Sequence, residues 1–257
     1  MLKIRVIPTL LWKDFGLVKG VGFDSWRRVG SILPAIKVYN TRDVDELIVM
    51  DIVASQNQQP PEHESVEDFS DACFVPLTVG GGITHISEIT NLLHAGADKI
   101  LINTAAYNDP NLIEKAAAHF GSQCVVVGID VRLISPGKYA CFSHAGTVLT
   151  DKNPVNWARE LSDRGAGEIV ISSIDRDGTM QGYDLALTAM IAKAVDIPVI
   201  ASGGAGTYEH MRLAIQEGGV SAVAAASMFH FTEQTPAGAK LALQAAGIPV
   251  RKTYVTQ

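Results

Sequence analysis

The strongest constraint in this sequence is an alternation. Short runs rich in β-branched residues recur at 4–11, 46–51, 75–79, 99–102, 125–130, 168–172, 199–201 and 222–225, and longer amphipathic stretches separate most of them. The clearest of these stretches, 110–120, 154–164 and 208–217, read as helices. Strands that alternate with helices pair in parallel, and eight of them close into a (β/α)8 TIM barrel. An open doubly wound sheet would put one dominant glycine turn near the start, whereas here the glycine signals follow the third and seventh strands. The chain also repeats itself: ELIVMD at 46–51 matches EIVISS at 168–173, VGGG at 79–82 matches ASGG at 201–204, and ADKILINT at 97–104 matches VSAVAAAS at 220–227. The common offset of about 120 residues predicts two half-barrels of four strands each. At 257 residues the chain is sized for one barrel domain, taken as 1–257.

Composition narrows the function classes. A formal net charge of −6 argues against nucleic acid as the main partner, which needs clustered Lys and Arg. The cysteines, Cys73, Cys124 and Cys141, are odd in number and lack C-x-x-C spacing, so neither a disulfide framework nor a metal site is expected. Residues 1–5 alternate like a strand, and Lys13 and Asp14 break the apolar stretch before it resembles a signal peptide. No apolar run reaches the ~20 residues that span a bilayer. The expectation is a cytoplasmic protein without a membrane partner, a metal or a cofactor.

Two long connections, 16–30 and 132–151, follow the C-terminal ends of the first and fifth strands, where barrel enzymes keep their chemistry. The first holds Lys19, Phe23 and Trp26 and reads as a mobile loop over the mouth; the second, with Pro136-Gly137, reads as a small hairpin. Glycine turns at strand ends present N–H groups to anions. Gly80, Gly81 and Gly82 with Asn103 and Thr104 form one such group in the first half. Asp177 and Gly178, Gly203 and Gly204, and Ser227 form its counterpart in the second. Glycine there also permits tight turns without any ligand, but two copies on one rim predict a small molecule with two phosphate groups.

The strings LTVGGGI at 77–83, DKILINTAA at 98–106, FGSQ at 120–123, GAGEI at 165–169, SIDRDGT at 173–179, IASGGAG at 200–206 and FHF at 229–231 resemble the cyclase subunit of imidazole glycerol phosphate synthase, across almost the whole chain. In that family a glutaminase subunit (a class I amidotransferase) docks at the N-terminal barrel face and releases ammonia. The ammonia rises through the barrel to a bis-phosphorylated ribulosyl intermediate. The resemblance implies phosphate contacts at Gly82, Asn103, Thr104, Asp177, Gly178, Gly203, Gly204 and Ser227. It implies a catalytic carboxylate at Asp130, and an ammonia gate of Arg5, Glu46, Lys99 and Glu168 at strand starts. A salt-bridge plug with a purely structural role is the alternative for those four charges.

One position departs from the family pattern. Its second catalytic carboxylate ends the first strand, where this chain has Leu11. Leucine transfers no protons, and losing one positioned acid or base typically costs 10²–10⁴ in rate. The strings RVIPTLL at 5–11, GLVK at 16–19, VDELI at 44–48 and AAAS at 224–227 resemble second copies of this subunit that serve acetamidino amidation of surface-polysaccharide sugars beside a sugar amidotransferase. Three functions follow as expectations: an ammonia-delivering synthase subunit for sugar amidation, a histidine-pathway cyclase, or a scaffold for the glutaminase.

Overall fold

The computed structural model describes residues 3–14 and 16–253; the alternation read at 1–5 therefore begins outside the described residues. Twelve strands follow one another as β1 (Arg5–Lys13), β2 (Gly16–Val21), β3 (Asp24–Gly30), β4 (Leu47–Asp51), β5 (Leu77–Gly80), β6 (Lys99–Ile102), β7 (Val125–Ser135), β8 (Lys138–Ser143), β9 (Val148–Leu149), β10 (Glu168–Ser173), β11 (Val199–Ser202) and β12 (Ala222–Ala225). Eight of them pair in parallel in the order β10, β11, β12, β1, β4, β5, β6, β7, and β10 then pairs with β7 to close the (β/α)8 barrel. The eight runs read from the sequence are these eight strands. The third begins later than expected, at Leu77 rather than 75, because Pro76 has no N–H to donate and offers only its carbonyl, to Leu47.

The connection at 16–30 differs from its expected form. It is not an irregular loop: β2 runs back along β1, pairing Leu11 with Val18 and Trp12 with Leu17, and β3 completes a hairpin. Its tip turns through Gly22, Phe23 and Ser25, all with positive φ. The connection at 132–151 is the expected hairpin, turning at Gly137 between β7 and β8.

A closed sheet sends alternate residues inward and outward. The outward set packs beneath the helices, with Val6, Leu10, Leu47, Val49, Ile100, Val127 and Ile169 among its buried members. The inward set forms a separate cluster on the axis: Ile7, Ile48, Leu101, Val126, Val170, Ile200, Ala222 and Ala224. Each fully buried aliphatic side chain contributes about 1.5–3 kcal/mol, so both layers hold the barrel together.

The helix Pro236–Ala245 returns to the start of the chain through a buried charge. Lys240 is fully buried, with Nζ 3.2 Å from Asp43 and 3.3 Å from Asp45; the other Asp45 oxygen accepts the Val6 N–H at 2.9 Å. Removing one partner of a buried pair strands the other without compensation. Lys240→Met is expected to lower the unfolding free energy by about 3–5 kcal/mol. Urea denaturation measures this, and a loss below ~1 kcal/mol would show that the helix is anchored by its apolar face instead.

Candidate active site

The inward residues of each strand form a column from floor to mouth. On β1 the column is Arg5, Ile7, Thr9, Leu11; on β6 it is Lys99, Leu101, followed by Asn103; on β7, Val126, Gly128, Asp130; on β10, Glu168, Val170, Ser172. The upper members open into a cavity at the C-terminal end of the barrel. Asp130 lines it, as do Gly82, Asn103, Thr104, Asp177, Gly178, Gly203, Gly204 and Ser227, so the fold brings together the rim residues expected from the sequence except Gly80, which is buried in β5 outside the lining. Thr9, Asp51, Ser172 and Ser202 line it too and were missed. The signal for the two serines was their place at β-strand ends two residues beyond Val170 and Ile200, on the same inward face.

The two halves repeat at the level of backbone. Asn103 and Ala226 adopt nearly the same unusual conformation (φ −127°, ψ −82° and φ −124°, ψ −72°), and each starts a short helix, Thr104–Asn108 and Ser227–Phe231. The preceding glycine pairs, Gly81 with Gly82 and Gly203 with Gly204, all have positive φ. At Gly204 a Cβ would lie 2.2 Å from the Gly182 carbonyl, so loop packing by itself requires glycine there. What favours an anion is the set of donors left over. Among the described residues, the N–H groups of Gly203, Gly204 and Ser227 have no hydrogen-bond partner, and the Thr104 hydroxyl, which accepts the His144 N–H at 3.0 Å, keeps its proton to give. Asp177 differs from its neighbours: its N–H goes to Ser173 and Ile174 carbonyls, so it has no free donor to offer.

Among the described residues the lining holds three carboxylates and no basic side chain. Asp51 is occupied, accepting the Val53 and Ala54 N–H groups at 2.9 Å. Asp130 accepts Asn103 Nδ2 at 2.7 Å. Burial pushes its carboxyl up to about 7, with the charge of Asp177 adding to the effect and hydrogen bonds from Asn103 and Ser172 opposing it. A carboxyl near 7 can take or give a proton at neutral pH.

The two hairpins meet above this cavity. Phe23 packs against Ala140, Phe142 and Ile174, and the Gly22 N–H donates to the Asp177 carbonyl at 2.9 Å. Trp26 also reaches the lining. Lys19, on β2, is only 2% exposed, and its Nζ donates to the Thr9 carbonyl at 3.0 Å.

At the floor, Arg5, Glu46, Lys99 and Glu168 converge as the strand starts suggested, although Glu46 stands one residue ahead of β4. Arg5 Nη1 lies 2.8 Å from Glu46 and 2.9 Å from Glu168; Lys99 Nζ lies 2.9 Å from Glu46 and 3.2 Å from Glu168. Thr78 donates to Glu46 at 2.9 Å. Each acid therefore touches both bases, and the four close a ring across the axis.

A sequence profile described as histidine biosynthesis protein matches residues 5–235. The chain belongs to that family. Within it, the imidazole glycerol phosphate synthase subunit HisF of Hyphomonas neptunium is 48% identical over 251 residues, covering 98% of this chain and 99% of the relative. Asp130, which the family resemblance marks as catalytic, keeps its place at the mouth, and Leu11 faces the same cavity from β1.

Two predictions follow from this geometry. Crystals soaked in phosphate should show one anion at Gly82 and Thr104 and a second at Gly178, Gly204 and Ser227; water alone at both positions would exclude a two-phosphate ligand. The second concerns stability. The folded pKa of Asp130 lies above its ordinary 3.8, so between about pH 4 and pH 7 the native state holds a proton that the unfolded chain has lost. Its contribution is most favourable in acid and is lost as pH rises through 7. Asp130→Asn should therefore be more stable than wild type at pH 8, by about 1–3 kcal/mol, with the gap shrinking at pH 4. Urea titrations at the two pH values measure the difference.

Proposed function

We propose that this barrel is the ammonia-accepting synthase subunit of a glutamine amidotransferase. In this reading a glutaminase docks beneath the floor, ammonia passes the charge ring and the apolar axis, and it reacts at the mouth with a small molecule bearing two phosphates. The observation that carries it is the continuity of the columns: a ring of paired charges below, eight aliphatic side chains between, and Asp130 with the duplicated donor set above. A plug meant only to seal the floor would not need a cavity lined with donors at the far end of the same axis.

Leu11 supports the finer reading, that the product serves amidation of a surface-polysaccharide sugar, with a sugar amidotransferase acting later. The donor set and charge ring are complete while the β1 acid is absent, so what persists is ammonia delivery and phosphate recognition. The second reading, a cyclase of histidine biosynthesis, draws on the likeness to HisF and the intact pair of Asn103 with Asp130.

Two measurements test the proposal. The glutaminase of the same operon should bind the chain and hydrolyse glutamine faster in its presence. Lys99→Ala and Glu168→Ala should leave the fold intact but change the ratio of product formed from glutamine to product formed from free ammonium. Unchanged ratios, or no binding, would defeat the conduit. On the ribulosyl bis-phosphate with free ammonium, wild type should be slow and Leu11→Asp faster by at least tenfold, within the 10²–10⁴ that a positioned acid supplies. Wild-type turnover equal to that of Leu11→Asp would favour the histidine-pathway cyclase.

A further inference from the structure

Asp177 has no evident role in holding phosphate. Its side chain is an anion, its N–H is turned into the β10 turn, and its carbonyl is taken by the hairpin tip at Gly22. The carboxyl nevertheless lines the same cavity as Asp130 and Leu11. Behind it stands Lys19, the one buried cation of the hairpin. The position of Lys19 follows from strand lengths: the pairing of β12 with β1 ends at Pro8 and Ala225, so the Thr9 carbonyl lies beyond the ladder and the lysine ammonium takes it. A buried lysine and a half-buried aspartate, on a hairpin and a turn joined by the Gly22–Asp177 hydrogen bond, form a charge pair of which the aspartate alone reaches the cavity lining.

We infer that Asp177 is the second proton-transfer group of this site, acting beside Asp130 from the turn after the neighbouring strand, where Leu11 leaves β1 without an acid, and that Lys19 is its positioning residue. The inference rests on the proposed ammonia chemistry and adds who moves the protons.

The step balances with two carboxyls, one ionised and one protonated. The ammonia lone pair forms a bond to a substrate carbonyl carbon, and the C=O π pair moves to oxygen. Asp177 carboxylate takes a proton from nitrogen while the Asp130 carboxylic acid gives one to oxygen, leaving a carbinolamine. Loss of water reverses the traffic: Asp177 returns its proton to the departing hydroxyl, Asp130 takes one from nitrogen, and an imine and the starting protonation states result. The charges support that division of roles. Burial raises Asp177 to about 6, with Lys19 and the Gly178 N–H opposing, whereas Asp130 reaches about 7. Burial lowers Lys19 to about 7, with Asp177 opposing. The other ionisable groups nearby are committed elsewhere. Asp51 is tied to backbone N–H groups, Asp175 pairs with Arg132 at 3.4 Å, and Asp24 caps Ser25 at the hairpin tip. His230, beyond Lys19, is driven down to about 4 by burial and then by the lysine, and so is neutral near pH 7.

The experiment measures kcat and KM for the ribulosyl bis-phosphate against pH, at a fixed concentration of free ammonia. Asp177→Asn should lower kcat by about 10² or more while KM changes less than about threefold. Adding Leu11→Asp to that variant should recover at least tenfold, which a misfolded protein would not do. Lys19→Met should move the acidic limb of the kcat profile to higher pH, since the cation no longer favours ionised Asp177. Three outcomes overturn the inference: kcat of Asp177→Asn within threefold of wild type, an acidic limb unmoved by Lys19→Met, or a silent wild type beside an active Leu11→Asp. If wild type and Leu11→Asp are both silent with free ammonium, the proposed ammonia chemistry itself is rejected, and the inference with it.

Discussion

Closure of the parallel sheet is the constraint from which the rest of this structure follows. Once β10 pairs with β7, every second residue of eight strands is committed to one narrow axis, and no inward side chain can avoid its neighbours. Charges at the strand starts must then meet, and they are tolerable only as a set in which each acid touches each base. The same rule fills the middle with aliphatic groups and leaves the polar ends of the columns at the mouth. Floor, axis and site are three levels of one alternation.

Local pattern made most of this legible. Strand positions, the half-barrel repeat and the glycine-turn residues of the rim were readable because each depends on nearby composition or on a fixed place at a strand end. The duplicated backbone at Asn103 and Ala226 bears out the repeat in geometry that residue identity hides, since asparagine and alanine share no side-chain chemistry. Besides Thr9, Asp51, Ser172 and Ser202 in the lining, two things were not readable. The hairpin of β2 and β3 has the glycines and charges of a loop, and it becomes sheet only because β1 outlasts its neighbour and offers Leu11 and Trp12 an antiparallel partner. The second is the environment of Asp177. In sequence it belongs to a glycine turn and reads as part of the anion site, but its own N–H is spent and Lys19, far away in the chain, sits behind it.

The half-barrels have kept their backbone while dividing their labour. The first half ends in Asn103, whose amide holds Asp130 across the boundary between halves at 2.7 Å. The second half ends in Ala226 and cannot make that bond, so its half-site has glycine N–H groups and Ser227 alone. In the proposed reading, duplication supplies two anion seats for one ligand, and the asymmetry between them gives that ligand a single orientation relative to the carboxyls.

The aliphatic axis also sorts protonation states. Eight aliphatic side chains, from Ile7 to Ala224, cluster between the charge ring and the mouth. An ammonium ion entering that layer would surrender its hydration at a cost of several kcal/mol. A neutral amine of the same size loses far less. In the proposed reading, nitrogen that crosses leaves its proton below and arrives with a free lone pair, whatever the balance of ammonium and ammonia in the surrounding water. In that reading the barrel wall separates two proton inventories, one at the floor and one at the mouth.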